Sequence, residues 1–207
     1  MQNPVHRIFL LSPANVSGKR AQMLLNPSAP FELAQRLRQD GVPLDEAFTF
    51  MSGLYFRGKL SYARAFTDPA DRPVFIITTN RGLVPADQRI TVDDLRAFSD
   101  VQIDAYDRRY SEPLIRDAIR LSRSHSGPVV LLGSIATGKY VDHLLPIFRQ
   151  NLQFPLEFVG RGDMSRGGLL LRSAVANQML SHIPVEGALR RGRRPPKLAR
   201  VDFRVSE

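Results

Sequence analysis

The sequence predicts an α/β fold: a single three-layer domain in which helices flank a mostly parallel sheet of about four to six strands. Four short apolar runs have the length of buried strands, and each leads into a polar loop and then a segment of helical periodicity. No unit of roughly 20–50 residues repeats, which excludes solenoids and propellers. We assign residues 1–186 to this domain and residues 187–207 to a basic C-terminal tail.

The strands are predicted where β-branched, aromatic and leucine residues run together. The first spans 5–11 (Val-His-Arg-Ile-Phe-Leu-Leu) and the second spans 73–79. The third spans 129–132 and the fourth spans 155–159. The segment around 198–205 is expected either to add an edge strand or to lie loose.

Helices are predicted between the strands from apolar periodicity and from start and stop signals. Thr91 and Asp94 have the spacing of a capping box, and Gly41 follows one periodic segment as a stop. The predicted ranges are 21–25, 30–40, 44–66 with a break or bend near Gly53 or Gly58, 91–98, 111–124, 140–151 and 169–180.

The segment 44–66 combines a core stripe with aromatic and basic residues. The stripe has the spacing of a buried helix face, so we assign it to packing: Leu44, Phe48, Met51 and Tyr55. Arg57 and Lys59 alternate with aromatic residues, a mixture that can stack bases while neutralising phosphates. We predict that Arg57 and Lys59 bind nucleic acid, although a helix packed on a sheet shows the same mixture for ordinary reasons.

The loop after the third strand resembles a phosphate-binding loop. Gly133 and Gly138 have the required spacing, and Lys139 follows directly. Such glycines let backbone N–H groups face an anion at the electropositive start of a helix, and the lysine reaches an anionic oxygen. Tyr140 stands where nucleotide hydrolases need Ser or Thr to hold magnesium, so we expect an anion or nucleotide pocket rather than an ATPase site.

Parallel strands end at the same edge of a sheet, so we expect the loops that follow them to form one cationic pocket rich in hydroxyls. Asp163 is the candidate base or hydroxyl-orienting group, and Lys139 is the candidate electrostatic catalyst. The predicted ligand-binding residues are Ser12, Asn15, Lys19, Arg81, Gly133, Ser134, Thr137, Gly138, Tyr140, Arg161, Gly162, Ser165 and Arg166.

The formal net charge of +9 is concentrated near the C-terminus. Six cations lie within 190–200, where there is no acidic residue, and the rest of the chain carries +3. This composition suits a polyanion or another acidic partner; the alternative is a solvated, disordered arm. The predicted nucleic-acid-binding residues here are Arg190, Arg191, Arg193, Arg194 and Lys197.

Several classes of protein are excluded or disfavoured. The absence of cysteine excludes disulfides, thiolate metal sites and cysteine nucleophiles. The four histidines lack metal-ligand spacing, so no metal and no cofactor are expected. No run approaches the roughly 20 apolar residues of a membrane span, and the start of the chain lacks a signal-peptide pattern, so we expect a cytoplasmic protein without a membrane partner.

Four landmarks, in order along the chain, resemble those of the peroxide-stress protein YaaA family. Ser12-Pro13-Ala14 resembles its N-terminal strand followed by Ser-Pro-Ala-Lys, and Arg81-Gly82-Leu83-Val84-Pro85 resembles its Gly-Leu-rich turn. Leu132-Gly133-Ser134 with Tyr140 is similar to its strand, small-residue loop and aromatic residue. Arg161-Gly162-Asp163-Met164-Ser165-Arg166 resembles its Arg-Gly-x-Met-Ser-Arg loop and is the most specific landmark.

The chain also departs from that family. Asn15 stands where the family usually has lysine, for which Lys19 could substitute, and the chain is shorter and ends in an arginine-rich tail. The resemblance implies a bacterial cytoplasmic α/β protein whose positively charged cleft binds DNA and which is linked to oxidative-stress tolerance. We therefore hypothesise a nucleic-acid-binding protein. The alternatives are an enzyme acting on a nucleotide, nucleoside or nucleobase, and an adaptor whose tail docks on an acidic partner.

Overall fold

A computed structural model describes residues 6–67 and 74–198. Within them the predicted α/β class is confirmed, because helices flank a six-stranded, mostly parallel sheet in a three-layer arrangement. The strands are β1 (Ile8–Leu11), β2 (Val42–Pro43), β3 (Val74–Ile77), β4 (Leu83–Pro85), β5 (Arg89–Ile90), β6 (Val129–Leu132), β7 (Leu152–Pro155) and β8 (His182–Pro184). The helices are α1 (Lys19–Leu25), α2 (Glu32–Gln39), α3 (Leu44–Ser52), α4 (Leu54–Ala65), α5 (Val92–Ser99), α6 (Arg108–Ser124), α7 (Gly138–Phe148) and α8 (Asp163–Val175), with 3-10 turns at Arg149–Asn151 and Leu156–Phe158.

The main sheet has the strand order β4-β3-β1-β6-β7-β8, and β2 pairs with β5 separately. β1 is parallel to both neighbours, with Phe9 opposite Val74 and Ile8 opposite Val129. β4 and β8 form the two edges as antiparallel strands. Every residue of β1 and β6 is buried, which explains why both strands are continuous apolar runs rather than alternating ones.

The chain reverses its direction across the sheet at β1. It leaves β1 toward β3 and β4, returns across β1 to β6, and then continues outward to β7 and β8. Open α/β sheets bind ligands outside the carboxyl ends of the strands at such a reversal. The loops that follow β1 and β6 therefore flank the place where a ligand site is expected.

Three glycines determine how helices α3, α4 and α8 meet next to the expected ligand site. Gly53 separates α3 from α4 with a φ of 61°, a backbone conformation that favours glycine, and this confirms the predicted break near Gly53. Gly58 lies inside α4, where a Cβ atom would fall 2.5 Å from the carbonyl oxygen of Gly167 in α8. A Cβ atom on Gly167 would in turn fall 2.8 Å from Cα of Tyr55. The two helices therefore touch backbone to backbone.

Two predicted boundaries near the site are wrong. The fourth strand is Leu152–Pro155 rather than 155–159, because Gln153 interrupts the apolar pattern and yet takes its place in the ladder between β6 and β8. The last helix begins at Asp163 rather than at 169, because Gly167 is needed inside the helix for the contact with α4. Residues 163–168 are thus helical and do not form an open loop.

Other predicted elements agree with the structure. The capping box is present, since Thr91 accepts a hydrogen bond from the backbone of Asp94, whose side chain accepts one from the backbone of Thr91. The expected edge strand around 198–205 lies outside the described residues except for Leu198, which is not in a strand. No helix within the described part of the chain is long and apolar enough to cross a membrane.

Candidate functional site

A cavity of about 500 Å³ lies at the carboxyl ends of the parallel strands. Its lining comes from the segment that follows β1, from Thr79 after β3, from Ser134 after β6 and from residues 101–103. The wall is completed by Ser52 of α3, Tyr55 of α4, Lys139 and Tyr140 in the first turn of α7, and Asp163 at the start of α8. The cavity therefore occupies the position that the strand order indicates.

Ser12 lies at the centre of this arrangement, directly after β1. Its backbone N–H donates to the carbonyl oxygen of Leu132 at 3.2 Å, and its hydroxyl donates to the same oxygen at 3.3 Å. A Cβ atom on Gly133 would approach Cβ of Ser12 to 3.1 Å, so the glycine brings the loop after β6 against Ser12. The predicted residues Ser12 and Gly133 thus lie together.

α7 presents Lys139 and Tyr140 to the cavity from its first turn. The Tyr110 hydroxyl donates to the backbone oxygen of Lys139 at 2.7 Å and fixes this turn against α6. The Lys139 ammonium lies 5.2 Å from the centroid of the Tyr140 ring and makes no ion pair within residues 6–67 and 74–198. Thr137, which precedes the helix, is exposed and makes no side-chain cap.

α8 presents Asp163 to the cavity at its first position. The Asp163 side chain is 69% exposed and pairs with Arg166, at 3.6 Å between Oδ1 and Nη1. Arg166 is only 12% exposed; its guanidinium donates to the carbonyl oxygen of Phe158 at 3.1 Å and lies over the Phe158 ring. Arg166 is therefore held mainly by protein groups, and Lys139 is the cation that is better placed for a ligand.

Lys59 is the largest departure from the prediction. It is 1% exposed and lies beneath Ser12, so the assignment of Lys59 to nucleic-acid binding is wrong. Its ammonium donates to the backbone oxygen of Ser12 and, at 2.8 Å, to the Ser12 hydroxyl. Burial lowers the pKa of Lys59 to about 7, with Asp163 raising this pKa and Lys139 lowering it further.

Two phenols complete the polar surface near Ser12. Burial raises the pKa of Tyr55 to about 12 and raises that of Tyr140 as well, so both phenols are protonated at neutral pH. The Ser12 hydroxyl lies close enough to lower both pKa values in part. The Tyr55 hydroxyl is buried beside the Ser12 hydroxyl and the Arg166 guanidinium but makes no well-formed hydrogen bond among the described residues, which leaves its proton for a ligand.

Several predicted ligand residues lie away from the cavity wall. Arg81 pairs with Asp94 and lies over the Phe98 ring, so it holds α5 instead. Arg161 donates to the hydroxyl of Ser165 at 3.2 Å. The cavity lining omits eight of the predicted ligand-binding residues besides Arg166, namely Lys19, Arg81, Gly133, Thr137, Gly138, Arg161, Gly162 and Ser165.

The C-terminal tail starts beside the site. The Arg161 guanidinium donates to the backbone oxygen of Pro196 at 3.3 Å. A Cβ atom on Gly160 would meet the backbone oxygen of Arg193 at 2.2 Å, so the tail backbone lies directly on this turn. The predicted nucleic-acid-binding cations other than Lys59 are exposed: Arg57, Arg190, Arg191, Arg193, Arg194 and Lys197.

Sequence reasoning missed Tyr55, Thr79 and the segment 101–103 as lining residues. Tyr55 belongs to an apolar stripe that indicates packing, and it is both a core residue and part of the cavity wall. A usable signal was Gly58 next to Lys59 in a helix of aromatic residues, since such a glycine indicates a close helix contact. A lysine beside that contact is positioned for burial.

The fold and the cavity define an open-sheet α/β protein with a polar site at the reversal point of its sheet. Among the described residues that line the cavity, Lys139 is the one cation and Asp163 the one acid, so the expected cationic pocket is wrong: its other cations, Lys19, Arg81, Arg161 and Arg166, lie outside the lining. Comparisons with models of protein families, with curated proteins and with solved structures find no match. The resemblance to the peroxide-stress protein YaaA family therefore stays a prediction. Within the described residues, no three His, Asp or Glu side chains are grouped as a metal site would require.

Proposed function

We propose that the cavity binds a small anionic molecule of about the size of a nucleotide. The observation that carries this proposal is the position of Lys139, which faces the cavity from the electropositive first turn of α7. Its ammonium has no acidic partner among the described residues, so a ligand anion would supply one. The volume of about 500 Å³ lies within the range usual for small-molecule sites.

The remaining wall suits the uncharged part of such a ligand. Ser12, Ser134 and Thr79 bring hydroxyls to the cavity, and Tyr55 and Tyr140 bring aromatic surface. Asp163 is exposed at the cavity wall, where its carboxylate can accept hydrogen bonds from sugar hydroxyls. Because Arg166 already contacts Asp163 and Phe158, we expect one principal anion contact, at Lys139, rather than a cluster of several.

Isothermal titration calorimetry with adenosine, AMP, ribose 5-phosphate and pyrophosphate tests this proposal. We expect a phosphorylated compound to bind and unphosphorylated adenosine to bind more weakly. Lys139→Ala should weaken binding roughly tenfold or more, a loss typical of a charged contact. Arg123→Ala removes the same charge from an exposed position on α6 and should leave the affinity unchanged. Absence of binding by every compound, or equal binding by the Lys139→Ala variant, would refute the proposal.

Nucleic-acid binding is the second candidate. The tail places exposed arginines on the turn at Gly160, only a few residues before Asp163 enters the cavity wall. Cations arranged in this way contact phosphate backbones, and their binding weakens steeply with salt. In fluorescence anisotropy, we expect single-stranded and duplex DNA to bind the full chain at low salt and to bind residues 1–186 much more weakly. Equal affinities for both proteins, or no dependence on salt, would contradict this candidate.

A further inference from the structure

The contact between Ser12 and Lys59 has the geometry of a nucleophile and its base. We propose that Ser12 attacks the acyl carbon of a small ester or amide, with Lys59 as the general base. The inference rests on the proposed function, since Lys139 would hold an anionic group of the same substrate. The site would therefore hydrolyse an acyl compound that carries a phosphate or a carboxylate.

The surroundings of Lys59 are unusual for a lysine. Its amine lies 4.5 Å from the centroid of the Tyr55 ring and 4.9 Å from that of Phe56, and its side chain is almost fully buried. Within the described residues its polar contacts are the oxygens of Ser12, and none is a carboxylate. A buried amine without an acidic partner loses its proton more readily than one in water. Once the amine is neutral, the Ser12 hydroxyl can rotate its proton from the carbonyl oxygen of Leu132 to the amine, which lies 2.8 Å from the Ser12 oxygen.

Ser12 borders the cavity, whereas Lys59 does not. Only 6% of Ser12 is exposed, but it is part of the cavity lining; Lys59 is 1% exposed and contacts Ser12 from outside that lining. A substrate can therefore meet the Ser12 oxygen while the base remains shielded from water. The charged groups that act on Lys59 are Asp163 on α8 and Lys139 on α7, and the ring of Tyr55 on its own helix lies against its amine. Arg166 and Tyr140 adjoin Tyr55.

The reaction balances without a further reagent. The Ser12 hydroxyl proton moves to the amine of Lys59 as a bond forms from Oγ to the acyl carbon, and the carbonyl electron pair moves onto its oxygen. The Tyr55 hydroxyl, which makes no well-formed hydrogen bond among the described residues, is the available donor to that oxygen. When the carbonyl re-forms, the bond to the leaving alcohol or amine breaks and the leaving group takes the proton from Lys59. Water then attacks the acyl-serine in the same way, which yields the carboxylic acid and restores Ser12.

Labelling of the full-length chain with a fluorophosphonate probe tests the assignment. Intact mass spectrometry and peptide mapping should find one label, on Ser12, and no label on the Ser12→Ala variant. Lys59→Met should slow labelling by about 100-fold or more, as expected for loss of a general base. In the wild type, the labelling rate should increase with pH, with a midpoint near pH 7. In Lys59→Met, this increase should be absent. Ser28→Ala, a change at an exposed serine outside the cavity wall, should label like the wild type.

A second variant and a folding measurement distinguish loss of the base from loss of the fold. Lys59→Gln keeps a donor for the backbone oxygen of Ser12 but lacks a basic amine, and it should label as slowly as Lys59→Met. Far-UV circular dichroism should give each variant the wild-type spectrum. Wild-type labelling rates in folded Lys59 variants would show that the contact only supports the fold and would overturn the proposal.

The outcomes separate this inference from the proposed function. If phosphorylated compounds bind through Lys139 while Ser12 is not labelled, Ser12 is not a nucleophile and the anion site still stands. If Ser12 is labelled with the predicted dependence on Lys59 while no anion binds, the proposed anion site is wrong. In that case the anionic part of the substrate class proposed here is also wrong.

Discussion

Gly167 and Gly168 are neighbours in α8, and we predict that alanine has opposite effects at the two positions. A Cβ atom on Gly167 would lie 2.8 Å from Cα of Tyr55 and 2.9 Å from the backbone oxygen of Leu54. A Cβ atom on Gly168 would have the Leu198 side chain as its nearest neighbour, at 3.7 Å. The first position is thus blocked by backbone, and the second has room.

The magnitudes follow from these distances. Alanine is favoured over glycine inside a helix by about 0.5–1 kcal/mol, and Gly168→Ala should gain that amount in unfolding free energy. Gly167→Ala gains the same helix preference but must separate α8 from α4, because backbone atoms cannot rotate away. Overpacking of this kind costs about 1–3 kcal/mol. We expect a net loss of about 1–2 kcal/mol for Gly167→Ala.

Urea unfolding followed by far-UV circular dichroism measures both effects, since the chain contains no tryptophan for fluorescence. Gly58→Ala approaches the same contact from the other helix, with a Cβ atom 2.5 Å from the backbone oxygen of Gly167. Once one alanine has separated the helices, the second costs less, so the double variant should lose less than the sum of the single losses. A Gly167→Ala protein as stable as the Gly168→Ala protein would refute the close backbone contact.

Three further predictions concern other named contacts. The lowered pKa of Lys59 means that the unfolded chain binds the proton more tightly than the native chain between about pH 7 and the usual lysine pKa of 10.5, so stability rises with pH in this window. From pH 7 to pH 9 the unfolding free energy of the wild type should rise by about 2 kcal/mol relative to that of Lys59→Met. If the urea midpoints of the two proteins change equally with pH, the pKa of Lys59 is not lowered. Thr91→Ala removes the capping hydrogen bond of α5 and should lower the unfolding free energy by about 0.5–2 kcal/mol, whereas an unchanged urea midpoint would mean that the cap contributes nothing. His182 contacts the Tyr62 hydroxyl at 2.8 Å, and burial lowers its pKa to about 4; NMR titration should therefore find a neutral ring at pH 5, and a midpoint near 6.5 would place the ring in water.

The sequence predicts well wherever one local pattern determines one element. The buried run Val129–Leu132 and the capping box at Thr91 agree with the structure because each depends only on neighbouring residues. The sequence also predicts that Ser12, Lys139 and Asp163 lie at one edge of the sheet, because parallel strands end together. The ends of the strands are thus enough to locate the cavity, whereas the strand order comes only from the structure.

The errors arise where a distant segment decides the outcome. In the sequence, Lys59 is one cation among aromatic residues, a pattern that does not show whether it is buried. It is buried because the end of β1 and helix α8 pack against α4, and both lie far from Lys59 along the chain. Arg81 follows a strand, as a ligand-binding residue would, but it forms an ion pair with Asp94 of α5 instead. Gly167 indicates a loop when its neighbours alone are considered, and the contact with α4 makes it helical.

The position of β1 also bears on how the protein is made. β1 is the first strand of the described chain, yet its partners β3 and β6 begin at Val74 and Val129. During synthesis the first strand must wait for more than half of the polypeptide before its second neighbour exists, and such distant pairings assemble slowly. Ser12 and its cavity can form only when this pairing is complete, so a nascent or truncated chain that ends before β6 would have no site at all.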